Sequence, residues 1–240
     1  EVISQQTQLD RADKYFKRFI NEFPTPNDMA TTSFKRILEI WSGLGYNSRA
    51  KRMFDSSRII AEKSFDGLYP NFQQLPGVGP YTENAILSFA YNEKVITEDI
   101  NVKRIFSRYF GLDNPSKYID SFSPVLLKNT NSRKLNQALM DFGSSICKPR
   151  RPLCLGCPLE DTCDKYFNYE TKPTEKFSGS NREIRGNLIK LLLKKGTLKV
   201  RTIQEELETD EDRLNEILEK MQKDGLVMLN KNNLVEINPS

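Results

Sequence analysis

Four cysteines lie within seventeen residues of the 240-residue chain, at Cys147, Cys154, Cys157 and Cys163, and the chain has no others. Their spacing is C-x6-C-x2-C-x5-C. Thiolates supplied by one short loop can surround a single metal centre. The residues by themselves leave three interpretations open: an iron–sulfur cluster, a structural zinc ion, or a pair of disulfides.

The composition of the chain excludes several kinds of chemistry. The chain contains no histidine, so there is no Ser-His-Asp triad, no histidine general base and no Cys/His zinc finger. No apolar run approaches the roughly 20 residues that span a bilayer, and no signal-peptide pattern is present. We therefore expect a protein of a reducing compartment without a membrane partner, which disfavours the disulfides.

The charge pattern points to the loop between the first two cysteines. The net charge is only +4, from 36 basic and 32 acidic residues, and such a mild excess does not identify a nucleic-acid-binding protein. The loop, however, carries Lys148, Arg150 and Arg151 without an acid. Because prolines restrict this loop, we expect the three charges to be held at the surface. They can contact DNA phosphates there or simply be solvated.

A glycine-rich turn, Leu75-Pro76-Gly77-Val78-Gly79, lies between two helical stretches. Glycines permit positive φ and let a phosphate approach the backbone closely. The helix that follows presents free N–H groups and the positive end of its dipole. Gly77, Val78 and Gly79 therefore predict a DNA-backbone anchor, although an ordinary turn between helices has the same composition.

Asp99 follows this turn by about twenty residues, in the segment Asp99-Ile-Asn101-Val-Lys-Arg104. An aspartate before an apolar helix is most simply an N-cap. A carboxylate that faces a cleft can also stabilise a cationic sugar. The two roles are compatible.

The apolar periodicity predicts helices throughout the chain up to residue 166, and in particular over 10–23, 32–41 and 49–63. The prolines at 24 and 26 are expected to end the first of these. Residues 184–237 predict three helices followed by a hairpin, the order of a winged helix. We expect a mostly α fold.

The turn, Asp99 and the cysteine loop together resemble the helix–hairpin–helix DNA glycosylase superfamily, in its endonuclease III-like iron–sulfur branch. The resemblance implies a six-helix barrel with the helix–hairpin–helix over residues 1–97, an iron–sulfur cluster domain over 98–168, a linker over 169–183 and a small winged-helix-like domain over 184–240. It also implies that the four cysteines hold a 4Fe-4S cluster, rather than zinc, and that the partner is double-stranded DNA.

Within this branch the chain resembles the MutY adenine glycosylases most. The matching segments are Glu1-Val-Ile-Ser-Gln-Gln-Thr-Gln8, Trp41-Ser-Gly-Leu-Gly-Tyr46-Asn-Ser-Arg49-Ala50 and Asn136-Gln-Ala-Leu-Met-Asp-Phe-Gly143. The resemblance implies that Glu1 is the general acid and base, that Asp99 stabilises the sugar cation, and that Asn101 supports these carboxylates. It places Gln5, Gln6 and Tyr46 on the DNA, the last two as wedges beside the mispair.

The chemistry implied is hydrolysis of an N-glycosidic bond in a flipped nucleotide. Glu1 would protonate the purine, and Asp99 would stabilise the resulting oxocarbenium-like sugar. Tyr81 stands where lyase-type relatives carry a Schiff-base lysine, so we expect a monofunctional enzyme without efficient strand cleavage. The expected substrate is adenine in a G·A mispair, with or without 8-oxoguanine opposite.

Two other functions stay open at this point. A related thymine glycosylase that acts on G·T and G·U mispairs also carries a tyrosine at the position of Tyr81. A non-catalytic DNA-binding or redox-sensing iron–sulfur protein is a more distant alternative, because both Glu1 and Asp99 are present.

The winged-helix-like domain is predicted to be a packing or protein-interaction module. Its candidate recognition helix, residues 210–224, carries six acids against three basic residues, and phosphates would repel that charge. We therefore expect a protein partner for this domain, and we expect its removal to have little effect on excision. The protein itself is expected to be a monomer. If the source is prokaryotic, the expected location is the cytoplasm, in association with the nucleoid.

Overall fold

The computed structural model describes residues 1–167 and 176–239. The helices there are α1 (Leu9–Glu22), α2 (Pro26–Thr31), α3 (Phe34–Trp41), α4 (Ser48–Lys63), α5 (Pro80–Phe89), α6 (Ile100–Phe110), α7 (Ser116–Leu126), α8 (Ser132–Ser145), α9 (Asn181–Lys195), α10 (Val200–Leu207) and α11 (Glu211–Lys223). The strands are β1 (Leu198–Lys199), β2 (Val227–Leu229) and β3 (Leu234–Ile237). The prediction of a mostly α chain that ends in a small winged-helix-like domain is confirmed.

The chain divides into two compact units. Among the described residues, the first unit comprises 1–69, 74–77 and 176–239, and the second comprises 70–73 and 78–167. The division groups the C-terminal helices and strands with the N-terminal ones. The domain boundaries expected at residues 97, 168 and 183 stay predictions. Residue 168, the last of the expected cluster domain, and residues 169–175 of the expected linker lie outside the described residues.

One continuous apolar core holds the first unit together. Phe34 and Trp41 of α3 and Phe54 of α4 belong to the same buried cluster as Leu188 of α9 and Ile217 of α11. Phe34 and Phe54 stack with ring centroids 5.6 Å apart. The helices of the winged-helix-like domain therefore bury their apolar faces in the same core as α3 and α4.

A helix at Pro26 corrects the expectation for the N-terminal region. The proline was predicted only to end α1, but it occupies the first turn of α2. Proline suits that position because its missing N–H would have no partner inside the helix. Thr25 and Asp28 form a reciprocal capping box: the Thr25 hydroxyl accepts from the Asp28 N–H at 3.2 Å, and the Asp28 carboxylate accepts from the Thr25 N–H at 2.9 Å.

The C-terminal hairpin was predicted correctly, and a third short strand completes its sheet. Strands β2 and β3 pair antiparallel, with Val227 opposite Ile237. Strand β1 joins the other edge of β3, with Leu198 opposite Val235. The two residues of β1 are too short a segment for periodicity to reveal.

The second unit is built on α5, α6, α7 and α8. Its buried cluster includes Val102 and Phe106 of α6 and Ile119 of α7. Asn136 of α8 is fully buried, and its side-chain oxygen accepts from the Thr97 N–H at 2.8 Å. Because a buried amide is costly without partners, this bond fixes the chain just before α6. No helix of the described chain is long and apolar enough to cross a membrane.

The shared core predicts that a truncation in α9 destabilises the surroundings of Trp41, the only tryptophan of the chain. Leu188 is fully buried, so Leu188→Ala should reduce the free energy of unfolding by about 2–5 kcal/mol. The measurement is thermal or urea unfolding followed by the fluorescence of Trp41. Leu9→Ala is the matched control, because the Leu9 side chain is 82% exposed. An unchanged Trp41 transition in Leu188→Ala would contradict a shared core.

Candidate active site and cluster pocket

Asp99 caps helix α6. One carboxylate oxygen accepts from the Val102 N–H at 2.7 Å, which satisfies a free donor of the first helical turn. The other oxygen accepts from the Asn101 side-chain amide at 2.8 Å. The carboxylate is thus held at the positive end of the helix dipole, where a negative charge is favoured.

Buried Arg104 extends this arrangement toward the cysteine loop. Its Nη2 donates to the Asn101 side-chain oxygen at 2.8 Å and to the Gly143 carbonyl at 2.7 Å, while its Nε donates to the Cys147 carbonyl at 2.8 Å. Arg104 is almost fully buried, and acceptors for its donors offset the cost of burying a guanidinium. A chain of hydrogen bonds therefore joins Asp99, through Asn101 and Arg104, to the backbone of the first cysteine.

Gly143 is needed where α8 passes α6. A Cβ at this position would lie 2.6 Å from the Asn101 Cβ, closer than any normal contact. The glycine therefore lets the α8 backbone approach Asn101 closely enough to accept from Arg104.

The four cysteines are free thiols that line one pocket of the second unit. Backbone N–H groups approach two of the sulfurs, from Leu159 to Cys157 at 3.5 Å and from Lys165 to Cys163 at 3.4 Å. Such contacts orient the thiolates of iron–sulfur centres and tune their potential. Among the residues that the structure describes, no three acidic, cysteine or histidine side chains are close enough to bind one metal ion.

Arg108 supplies an independent indication of an anionic group in this pocket. The side chain is buried and lines the pocket, and its Nη1 lies 3.5 Å from the Cys147 sulfur. Its Nε is buried without a hydrogen-bond partner. Four thiolates around an iron–sulfur core would form an anion, and its charge would offset that of the buried guanidinium. The four thiols and the buried arginine at this pocket therefore fit an anionic group such as an iron–sulfur cluster.

The same arginine shapes the basic loop. Its two terminal nitrogens donate to the carbonyls of Lys148 and Pro149, at 2.7 and 2.8 Å. The side chains of Lys148, Arg150 and Arg151 are exposed, as the sequence predicts. Their contact with DNA stays a prediction.

The glycine-rich turn falls at the division between the units. Gly77, in the first unit, has φ +81°, and a Cβ there would lie 2.7 Å from the Arg52 Cδ. Both features require glycine. In the second unit, Gly79 is the N-cap of α5 without a side-chain cap, and the half-buried Tyr81 follows in the first turn of that helix. Val78 precedes this N-cap, and contact of the turn with a DNA phosphate stays a prediction.

Arg49 organises the segment that carries Glu1. The Glu1 side chain is exposed, and its carbonyl accepts from the Ser4 N–H at 3.0 Å. The Arg49 Nη1 donates to the carbonyls of Val2, at 3.0 Å, and Gln5. Burial lowers the pKa of the Arg49 guanidinium below its ordinary value, and attraction to Tyr46 opposes that shift.

The two candidate wedges share an uncommon backbone conformation. Gln6 has φ +53° and Tyr46 has φ +48°. Such angles are strained for residues other than glycine, and they occur often at functional sites. The Gln6 side chain is exposed and the Tyr46 side chain is 43% exposed. Both predicted wedges thus have the exposure that insertion into a duplex requires.

The structure therefore gathers the predicted residues into two groups. Glu1, Gln5, Gln6, Tyr46 and Gly77 belong to the first unit, and Val78, Gly79, Tyr81, Asp99, Asn101 and the cysteines belong to the second. The structural roles of Arg49, Arg104 and Arg108 were not predicted. In sequence an arginine resembles any surface cation, and only long-range contacts reveal a buried one.

Comparison with known protein families gives a match over residues 1–122. The matching family is the HhH-GPD superfamily of base excision DNA repair proteins. The matched range contains Glu1, the glycine-rich turn, Asp99 and Arg104, but not the cysteines.

Several curated relatives are adenine DNA glycosylases. The protein of Buchnera aphidicola subsp. Baizongia pistaciae is 37% identical over 70% of this chain and 50% of its own length. That of Mycobacterium tuberculosis is 30% identical over 80% of this chain and 68% of its own length. The human protein is 34% identical over 68% of this chain and 32% of its own. The chain thus spans about half the length of its Buchnera relative and about a third of the human one.

Solved structures share the fold. A thermostable thymine-DNA glycosylase matches with a TM-score of 0.62 at 27% identity, over 69% of this chain and 80% of its own. An endonuclease III in a non-covalent DNA complex matches with a TM-score of 0.56 at 24% identity, over 68% of this chain and 79% of its own. The second likeness concerns the fold alone.

Proposed function

The chain belongs to the HhH-GPD superfamily of base excision DNA repair proteins, and on that premise we propose that it excises adenine from G·A mispairs in double-stranded DNA. The observation that carries the proposal is the capped and doubly hydrogen-bonded Asp99 carboxylate. The names of the curated relatives support adenine as the excised base.

The proposed reaction hydrolyses the N-glycosidic bond without a lyase step. Glu1 donates a proton to the adenine ring, and the bond between the base and C1′ breaks with its electron pair leaving on adenine. Asp99 stabilises the positive charge that develops on the sugar. Glu1 then accepts a proton from the water that adds to C1′. Tyr81 cannot form a Schiff base, so the DNA strand stays intact.

The hydrogen bonds of Asp99 and Asn101 support the roles proposed for them. Asp99 is fixed by two donors, so it does not have to reorganise as the sugar charge develops. Asn101 is a positioning residue because it donates to Asp99 and accepts from Arg104. Gln6 and Tyr46 enter the duplex in this proposal, with Gln5 beside them, while residues 77–79 bind a phosphate.

A 4Fe-4S cluster held by Cys147, Cys154, Cys157 and Cys163 completes the proposal. The four free thiols and the Arg108 guanidinium at one pocket support it. When bound, the cluster would supply a rigid fold for the loop rather than a chemical step. Lys148, Arg150 and Arg151 on that loop then contact the DNA backbone as sequence-independent cations.

Excision by the wild-type protein and by Asp99→Asn tests the catalytic proposal. Under single-turnover conditions, we expect release of adenine from G·A duplexes and a loss of about 10²–10³-fold in Asp99→Asn, because the substituted amide lacks the negative charge. The substrate panel includes 8-oxoG·A, G·T, G·U and matched T·A duplexes. Binding of the G·A duplex by Asp99→Asn should persist.

The outcomes of that panel separate the candidate functions. Release of thymine or uracil in place of adenine would instead support the activity named for the structural neighbour. Binding without any excision by the wild type would support a non-catalytic protein. Efficient borohydride trapping of the protein on DNA would contradict the hydrolytic route.

Removal of one thiol tests the cofactor. The purified wild type should contain about four iron and four sulfide per chain, and Cys154→Ser should lose most of both. Leu155→Ser is the matched control, because it lies in the same loop and its side chain is 92% exposed. Zinc in the wild type, or unchanged iron in Cys154→Ser, would contradict the cluster.

A further inference from the structure

Tyr46 lies against the C-terminal helices of its own unit. Arg182, in the first turn of α9, donates from Nη1 to the Tyr46 hydroxyl at 2.7 Å. The guanidinium carbon lies 5.8 Å from the centre of the tyrosine ring. A charged donor makes this bond stronger than one between neutral groups.

Helix α9 holds Arg182 firmly in place. Leu188 and Leu192 are buried in the core shared with α3. Arg185 forms an ion pair with Asp224 at the end of α11, and Ser180 caps the first turn of α9. The guanidinium therefore projects from a rigid element, and its bond restrains the Tyr46 ring.

The Tyr46 side chain is partly exposed, and the turn constrains its backbone. Its φ is +48°, in a turn where Gly45 has φ +75°. The Arg49 guanidinium lies 5.7 Å from the ring centre, and 43% of the side chain is accessible. Backbone and ring are thus fixed separately, the backbone by the turn and the hydroxyl by Arg182.

We propose that Arg182 is a positioning residue for mispair recognition, which holds the Tyr46 ring in the orientation that enters the duplex. This inference rests on the proposed function. A ring already fixed before binding avoids the loss of side-chain freedom at the moment of insertion. The C-terminal domain then takes part in discriminating mispaired from matched DNA, in addition to packing on the N-terminal helices.

A simpler role for Arg182 makes a different prediction. If it only contacted a phosphate, its loss would weaken binding to every duplex equally and would reduce the salt dependence by about one phosphate contact. If it acts through Tyr46, its loss weakens mispaired binding selectively. The ratio of the dissociation constants for matched G·C and mispaired G·A duplexes distinguishes the two roles.

The test measures that ratio by fluorescence anisotropy in the Asp99→Asn background, where substrate is not consumed. Arg182→Met and Tyr46→Phe should each reduce the ratio by about tenfold. Their combination should reduce it no further, because each removes the same hydrogen bond. Arg201→Met is the matched control, since the Arg201 side chain in α10 is 88% exposed.

Several outcomes would overturn the inference. These are a ratio within about twofold of the parent in Arg182→Met, an equal loss on both duplexes, or fully additive effects of the two substitutions. If Arg182→Met shows no unfolding transition in Trp41 fluorescence, that variant is not folded. The binding ratio of Tyr46→Phe then tests the inference by itself. An unchanged ratio in Tyr46→Phe, or a parent that prefers neither G·A nor G·T over the matched duplex, would also overturn it.

Failure of the proposed function would be recognised by an excision assay rather than by the binding ratio. In that case the protein with Asp99 intact would release no adenine, whereas the binding ratio would still depend on Arg182 and Tyr46. A G·T duplex is included, so that a preference for thymine mispairs is recognised with the same variants.

Discussion

The burial of the Arg104 guanidinium is the constraint on which the second unit depends. Removing a charged group from water is costly, and hydrogen bonds from its donors to buried acceptors offset that cost. Those acceptors are the Asn101 side chain and the carbonyls of Gly143 and Cys147. The start of α6, the end of α8 and the first cysteine must therefore lie together, and Asp99 is placed as a consequence.

The first unit follows the same principle through Arg49. This buried guanidinium donates to main-chain carbonyls of the segment after Glu1. It lies 5.0 Å from the centre of the Trp41 ring. Arg108 does likewise for the basic loop beside the cysteine pocket. In each case an arginine fixes irregular backbone that no helix or strand could hold. Gln5 and Lys148 belong to that backbone, and Glu1, Gln6 and Arg150 are next to it in the chain.

Much of this arrangement could be predicted from local sequence. The apolar period located α1, α3 and α4 to within two residues, and the position of Asp99 before an apolar run predicted its cap. Prediction from local sequence failed where one residue type is common in two different structural environments. Pro26 was expected to end a helix but begins one. An arginine can be solvated or can bind buried carbonyls, and its sequence position does not distinguish the two. The hydrogen bond between Tyr46 and Arg182 joins residues 136 positions apart. Periodicity describes neighbouring residues of one helix or strand, so it could not predict this bond.

In the proposed reaction, the hydrogen-bonded chain from Arg104 through Asn101 holds Asp99 in place for catalysis. The most direct measurement is the single-turnover rate of adenine excision from a G·A duplex by Asn101→Leu and by the wild type. The two proteins are compared after their iron contents and unfolding temperatures have been shown to match. Leucine has a similar volume but cannot donate to Asp99. We expect the rate of Asn101→Leu to be about 10²-fold below that of the wild type. A rate within about twofold of the wild type would contradict this expectation.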